Sequence, residues 1–234
     1  MTSASNDAFG RDVLQRTWPQ TLGDVPDQRE LQLVQAVSRG EGGYGLASYA
    51  LLDIEPGPNY GAVLSASTQT NNWGATQAGS PPCDPATSFM ATDTSPNRKI
   101  ADNPKGYYNA CFRRNPTPEA GCASFLKILL VGSSSHPRQG VREAVRTGSA
   151  DEVARAMHAS GYYEGFGATV EDRITNYANA IAKNAERIAV NLGEPLLVTR
   201  GEGGFFSPGP AGGRIVGLAM LLGAGYLVWR GVRG

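Results

Sequence analysis

The stretch Ser38-Arg-Gly-Glu-Gly-Gly-Tyr-Gly45 sets one carboxylate, Glu41, among glycines at the end of an amphipathic run. The residues before it read as a helix. Asp27 accepts from the first free amides, Glu30 reaches back, and Leu31, Val34 and Val37 form an apolar stripe that Leu33 and Ala36 widen. Gly40, Gly42 and Gly43 stop it, because glycine takes the left-handed cap conformation without a Cβ penalty. A carboxylate on a rigid element and facing an open loop is well placed to act as a general acid. The plainer alternative is a solvated glutamate in a glycine-rich turn.

A second stretch, Thr70-Asn-Asn-Trp-Gly-Ala75, combines groups that suit amides and sugar rings. Asparagine offers donors and acceptors together, and an indole face stacks on the apolar side of a pyranose. The same residues also suit a structural turn. Asp53 and Glu55 lie near Glu41 in sequence, but two prolines and two glycines in Asp53 to Gly61 make that segment a surface loop.

The elements that must position these groups follow from the pattern around them. Met1 to Pro26 is polar, with Phe9, Val13, Leu14 and Trp18 scattered through it; it reads as an arm with one short helix around Phe9 to Arg16, without the basic start and apolar core of a secretory signal. Gly45 to Leu52 suits another short helix. Thr87 to Asp93 and Tyr107 to Arg113 read as two strands of a β-hairpin lobe, with Asp93 at the end of the first. Two readings of the cysteines stand open: three free thiols, or a Cys83–Cys111 bridge at the base of that lobe with Cys122 left over. Helices are expected over Pro118 to Leu130, Val141 to Thr147, a segment capped by Ser149 or Asp151 that runs to Ala159, and Val170 to Leu192 with Ile174, Tyr177, Ile181, Ala185 and Ile188 on one side. Gly161 to Gly167 is an aromatic loop, and His158 reads as a core or helix-end histidine.

Composition narrows the function classes. With 21 basic and 21 acidic residues, the total charge gives no reason to expect nucleic acid as a partner. The two histidines, His136 and His158, stand in no metal-ligand spacing, so neither a metal nor a cofactor is expected. Gly193 to Gly213 is rich in glycine and proline and reads as a flexible linker. Ile215 to Trp229 is then an unbroken apolar or glycine run between Arg214 and Arg230, short for a span but long enough once snorkelling arginines are counted. A transmembrane helix over 214–232 is the expectation, and the arginine bias favours a cytoplasmic C-terminus.

In this order the pieces resemble the lysozyme-like glucosaminidases of glycoside hydrolase family 73, which cleave peptidoglycan and include flagellar rod-assembly and autolysin domains. The resemblance rests on a helix ending in glutamate, Asn-Asn-Trp-Gly, an acidic residue in a hairpin, Phe112-Arg113 before an alanine-rich helix, then Gly161-Tyr-Tyr and a long helix with Tyr177. It covers roughly Gln28 to Leu192. It implies an α+β, mainly α, lysozyme-like domain over 28–192 with a small β-hairpin lobe, an arm at 1–27, a linker at 193–213 and the hydrophobic C-terminal helix.

It further implies that Glu41 is the general acid and Asp93 the second carboxylate, with Asp84 as a lesser candidate. Asn71, Asn72, Trp73 and Tyr162 would line the cleft, with Tyr44 beside them. The sequence departs from the family pattern at Gly42, at Asp93 and at Tyr163-Glu164-Gly165. Shielding by Tyr44, Trp73 and Tyr162 would raise the Glu41 pKa and keep a proton there near neutrality. The expected activity is cleavage of β-1,4 glycosidic bonds in peptidoglycan glycan strands. A lytic transglycosylase is an alternative, and so is a catalytically silent wall-binding module of a phage or secretion machine. The expected setting is membrane-anchored, facing the periplasm or cell wall, or virion-associated within a phage or cell-envelope assembly.

Overall fold

The computed structural model describes residues 3–41, 43–44, 71, 73–74, 77–79, 82–93, 108–163 and 167–201. Among them the architecture is mainly helical: α1 Ser3–Leu22, α2 Gln28–Gly40, α3 Pro118–Leu126, α4 Val141–Thr147, α5 Ala150–Ala159 and α6 Val170–Leu192, with strands β1 Gln77–Gly79, β2 Ser88–Asp93 and β3 Tyr108–Arg113. α3 runs on into one π-helical turn, Lys127–Val131.

The helix ends are set by local chemistry. Asp27 caps α2 in a reciprocal pair with Glu30, and Thr169 caps α6 in the same way with Asp172. Ser149 caps α5 by accepting from the Glu152 amide, and α4 and α6 stop at left-handed Gly148 and Gly193. The core between the helices holds Trp18, Leu33, Phe125, Leu129, Met157, Ile181 and Ile188, all fully buried. Burying each large apolar side chain is worth roughly 1.5–3 kcal/mol.

The sheet has the order β1-β3-β2, and both pairings are antiparallel. β2 and β3 form the expected hairpin, in register from Ser88 opposite Arg113 to Asp93 opposite Tyr108. The short third strand β1 carries no alternation long enough to read. Cys83 and Cys111 are joined in a disulfide, and Cys122 is a buried free thiol.

Two boundaries differ from expectation. The N-terminal segment is a 20-residue helix that belongs to the core, with Val13, Leu14 and Trp18 fully buried. Its inward stripe also holds Asn6, Asp7, Arg11 and Thr17, so the helical period is complete but half of it is polar. The start of the presumed linker is also docked. Gln32 donates to the Pro195 carbonyl at 2.8 Å and accepts from the Leu197 amide at 2.9 Å. Ala150 and Thr199 pair through their backbones, and Val198 is buried. The packed unit therefore extends from α1 to about residue 201. The expected short helix from Gly45 to Leu52, the loop with Asp53 and Glu55, and the transmembrane segment 214–232 lie outside the described residues. No helix among the described residues is long and apolar enough to cross a membrane.

Candidate active site

Glu41 is the C-cap of α2, and its backbone amide bonds to both Val37 and Ser38 carbonyls at 3.0 and 3.1 Å. The turn beyond it is fixed. Gly43, at φ +83°, donates to the Ser38 carbonyl at 2.9 Å, and the Ser38 hydroxyl donates back to the Gly43 carbonyl at 2.8 Å. Such a turn needs a residue without a Cβ at the left-handed position.

The Glu41 side chain points into the protein and is 6 % exposed. Burial raises its pKa from 4.5 to about 8, against the opposing effect of a hydrogen bond from the Tyr177 hydroxyl to Oε1. Its position at a helix C-terminus acts in the same direction as burial, because the peptide dipoles there disfavour a negative charge. Near neutrality Glu41 therefore holds a proton. With the phenol donating to Oε1, that proton is carried on Oε2.

Three tyrosines stand near enough for this carboxyl group to act on them, and one of them, Tyr177, bonds it. Tyr177, from α6, stacks on Tyr163 with ring centroids 4.0 Å apart. The Tyr163 hydroxyl donates to the Ala154 carbonyl at 3.0 Å, which ties the loop between α5 and α6 to α5. Tyr162 is buried, and its phenol pKa is held well up, first by desolvation and then by the charge of Glu41. Desolvation and Glu41 act likewise on Tyr177, so it remains a proton donor across the neutral range. His158 lies near the end of α5, edge-on to Tyr163 at 5.5 Å, as a helix-end histidine.

The site residues named from sequence divide clearly. Glu41 and Tyr162 are near enough for the charge of Glu41 to act on the Tyr162 phenol. Tyr44 does not join them: it is 1 % exposed, its hydroxyl donates to Asp7 at 2.9 Å, and its ring lies on Gly10 of α1. A Cβ on Gly10 would stand 2.8 Å from that ring, which explains a glycine in mid-helix. Trp73 is fully buried against Tyr44 with centroids 5.0 Å apart, so its indole is a core aromatic and not an open stacking platform.

Asn71 is 9 % exposed and takes a positive φ of 49°. Its side-chain NH2 donates to the Asn115 backbone carbonyl at 2.9 Å, and its backbone carbonyl accepts from the Asn115 side-chain NH2 at 3.2 Å, a structural clasp. Gly74 and Gly121 complete this packing, since a Cβ would meet the Phe125 ring at 2.5 Å or the Asn71 carbonyl oxygen at 1.7 Å. Asn72 lies outside the described residues.

Of the candidate second carboxylates, Asp84 is exposed and holds a turn. It accepts from the Ala86 amide and the Thr87 hydroxyl, both at 2.9 Å, and these bonds keep its pKa below the usual carboxylate value. Asp93 ends β2 opposite Tyr108, and its side chain lies outside what is described. Sequence reading missed the role of Tyr177, because its helical spacing with Ile174 and Ile181 marks it as core.

No family model matches the chain, and no match to it is found among curated proteins or solved structures.

Proposed function

We propose that the protein is a lysozyme-like glycoside hydrolase acting on the glycan strands of peptidoglycan, of the glucosaminidase type, with Glu41 as the general acid. The observation that carries this reading is the buried carboxyl group at the end of α2, protonated near neutrality and held by Tyr177. Glycoside cleavage needs an acid of raised pKa to protonate the leaving oxygen. Oε2 of Glu41 supplies it, and Tyr177 orients the group and stabilises the carboxylate left after transfer. The anion that stabilises the oxocarbenium-like state or activates water is assigned to Asp93 on the β-lobe. The Cys83–Cys111 disulfide supports an oxidising compartment such as the periplasm or cell wall. An anchor formed by residues 214–232 belongs to the same proposal.

The test is digestion of purified peptidoglycan by the full chain and by Glu41→Gln, with mass spectrometry of the fragments. The domain limits matter: a fragment of residues 28–192 would lose α1 and the docked strap to residue 201. Reducing N-acetylglucosamine ends that vanish in the variant are the expected result. Anhydro-muramic ends would reassign the enzyme to the lytic transglycosylases. A folded wild type that releases nothing would leave a silent wall-binding module as the better account.

A further inference from the structure

Arg138 is a buried cation with no carboxylate on it among the described residues. It is 4 % exposed, and what surrounds it is backbone and an aromatic face. Its Nε donates to the Ile128 carbonyl at 3.1 Å, in the π-helical turn that ends α3. Its Nη1 donates to the Ser160 carbonyl at 2.5 Å, at the C-cap of α5. The guanidinium carbon stands 5.1 Å from the centroid of the Tyr162 ring. Both carbonyls belong to helix ends, where backbone acceptors lack intrahelical partners.

The chain delivers Arg138 by a tight reversal. Gly132, at φ +75°, starts it, and a Cβ there would meet the His136 carbonyl oxygen at 2.2 Å. The Arg138 amide then returns to the Val131 carbonyl at 3.1 Å. A desolvated cation is costly unless several groups compensate it. Here two carbonyl dipoles and a ring face do so, and two of the three, Ser160 and Tyr162, lie on the segment between α5 and α6 that carries part of the site.

We propose that Arg138 is a positioning residue: it clamps the end of α3 and the end of α5 together and seats Tyr162 over Glu41, which keeps the carboxyl group dry. The inference rests on the reading of Glu41 as the acid, but its physical content is separate. The charged or titratable groups that face Glu41 among the described residues are Tyr177 from α6 and Tyr162 and Tyr163 from the α5–α6 loop. Arg138 acts on Glu41 through Tyr162. Only a planar fork that also stands over a ring face meets all three demands, so lysine is no substitute.

The test is a titration of Glu41 in the full chain by carboxyl-carbon NMR on protein labelled with 13C-glutamate, with Glu41→Gln assigning the signal. In Arg138→Met and Arg138→Lys the Glu41 midpoint is expected to fall from about 8 toward the ordinary 4.5 as water reaches the carboxyl. Tyr162→Ala, which leaves Arg138 in place, is expected to lower it as well, and to add little in combination with Arg138→Met. An unchanged midpoint in either folded Arg138 variant overturns the clamp. If neither Arg138 variant folds, Tyr162→Ala decides, and an unchanged midpoint there overturns it too. The readout needs no activity. A lowered midpoint beside a wild type that digests no wall supports the clamp and sinks the glycosidase reading; wall digestion beside an unmoved midpoint does the reverse.

Discussion

Asp7 and Glu41 are both buried against α2, and the protein satisfies them in opposite ways. Asp7 is fully buried and takes an ion pair from Arg39, a hydrogen bond from the Tyr44 hydroxyl at 2.9 Å and another from Asn191 at 2.6 Å. Gln35 donates to its backbone carbonyl as well. Glu41, two residues beyond Arg39, has only the neutral phenol of Tyr177 among the described residues. One carboxyl group is supplied with a cation and several donors; the other has no cation among the described residues and is left to carry its proton. Burial alone therefore does not mark a catalytic acid. What marks it is burial without a compensating charge.

The comparison breaks most visibly at Asp7. Asp7→Ala strands the Arg39 guanidinium, 3 % exposed on its side chain, without an anion. Removing one partner of a buried pair costs about 3–5 kcal/mol, or a fall in Tm on the order of 10 °C for a chain of this size. Urea denaturation checks the first figure. The Glu41 titration should stay where it is, since Asp7 does not act on that group.

Glu41→Gln should move stability the other way, increasingly as pH rises from 4.5 to about 8. In the native protein Glu41 titrates at about 8, against 4.5 ordinarily. Between those values the folded state holds a proton that the unfolded state has released. Its contribution is thus fully present below pH 4.5 and is lost as pH rises through about 8. At about 1.36 kcal/mol per pH unit the ceiling is on the order of 5 kcal/mol. The variant should therefore unfold like the wild type at pH 4, resist urea better at pH 9, and lose about 10²–10⁴-fold in wall digestion. Equal stability of the two proteins at pH 9 would mean that Glu41 is not dry.

A smaller change sharpens the Asp7 side. Asn191→Ala removes one donor but leaves Arg39 and Tyr44 in place. The expected cost is about 1–2 kcal/mol, near the lower end for a hydrogen bond to a charged group. A cost as large as that of Asp7→Ala would show that Asn191 and its bond to Ser3 fasten α1 to α6 for reasons other than charge.

How far these pockets can be read in the sequence depends on what lines them. The Glu41 helix announces itself through Asp27, Glu30 and the Leu31, Val34, Val37 stripe, and the boundaries of α4 and α6 follow from Gly148, Thr169 and Gly193. α1 hides because Asn6, Asp7, Arg11 and Thr17 occupy inward positions that an apolar count treats as solvent-facing. Their partners are distant: Arg11 reaches Gln35 and Glu194, and Arg39 reaches Asp7, so no local pattern records the pairing. The same holds at the candidate site. Trp73 and Asn71 are types that bind sugars, yet Phe125, Tyr44, Gly121 and Asn115 turn them into packing. Arg138 follows a run of serines in a polar loop, and only the fold brings two helix ends and a ring to it.

Tyr177→Phe is the finest probe of the difference between the two pockets, because it removes a single hydroxyl and keeps the ring that stacks on Tyr163. The lost bond is one between uncharged partners at neutral pH, so stability should fall by about 1 kcal/mol or less. The more telling readout is the alkaline limb of the activity profile. The phenol favours the ionised carboxylate, so its removal should raise the Glu41 pKa and carry that limb upward by about one pH unit or less. Turnover should fall at the same time, since the carboxylate left after proton transfer loses its donor. A limb that moves downward would carry a different meaning. Water would then have entered the place of the hydroxyl, and Tyr177 would matter chiefly as a wall that keeps Glu41 dry.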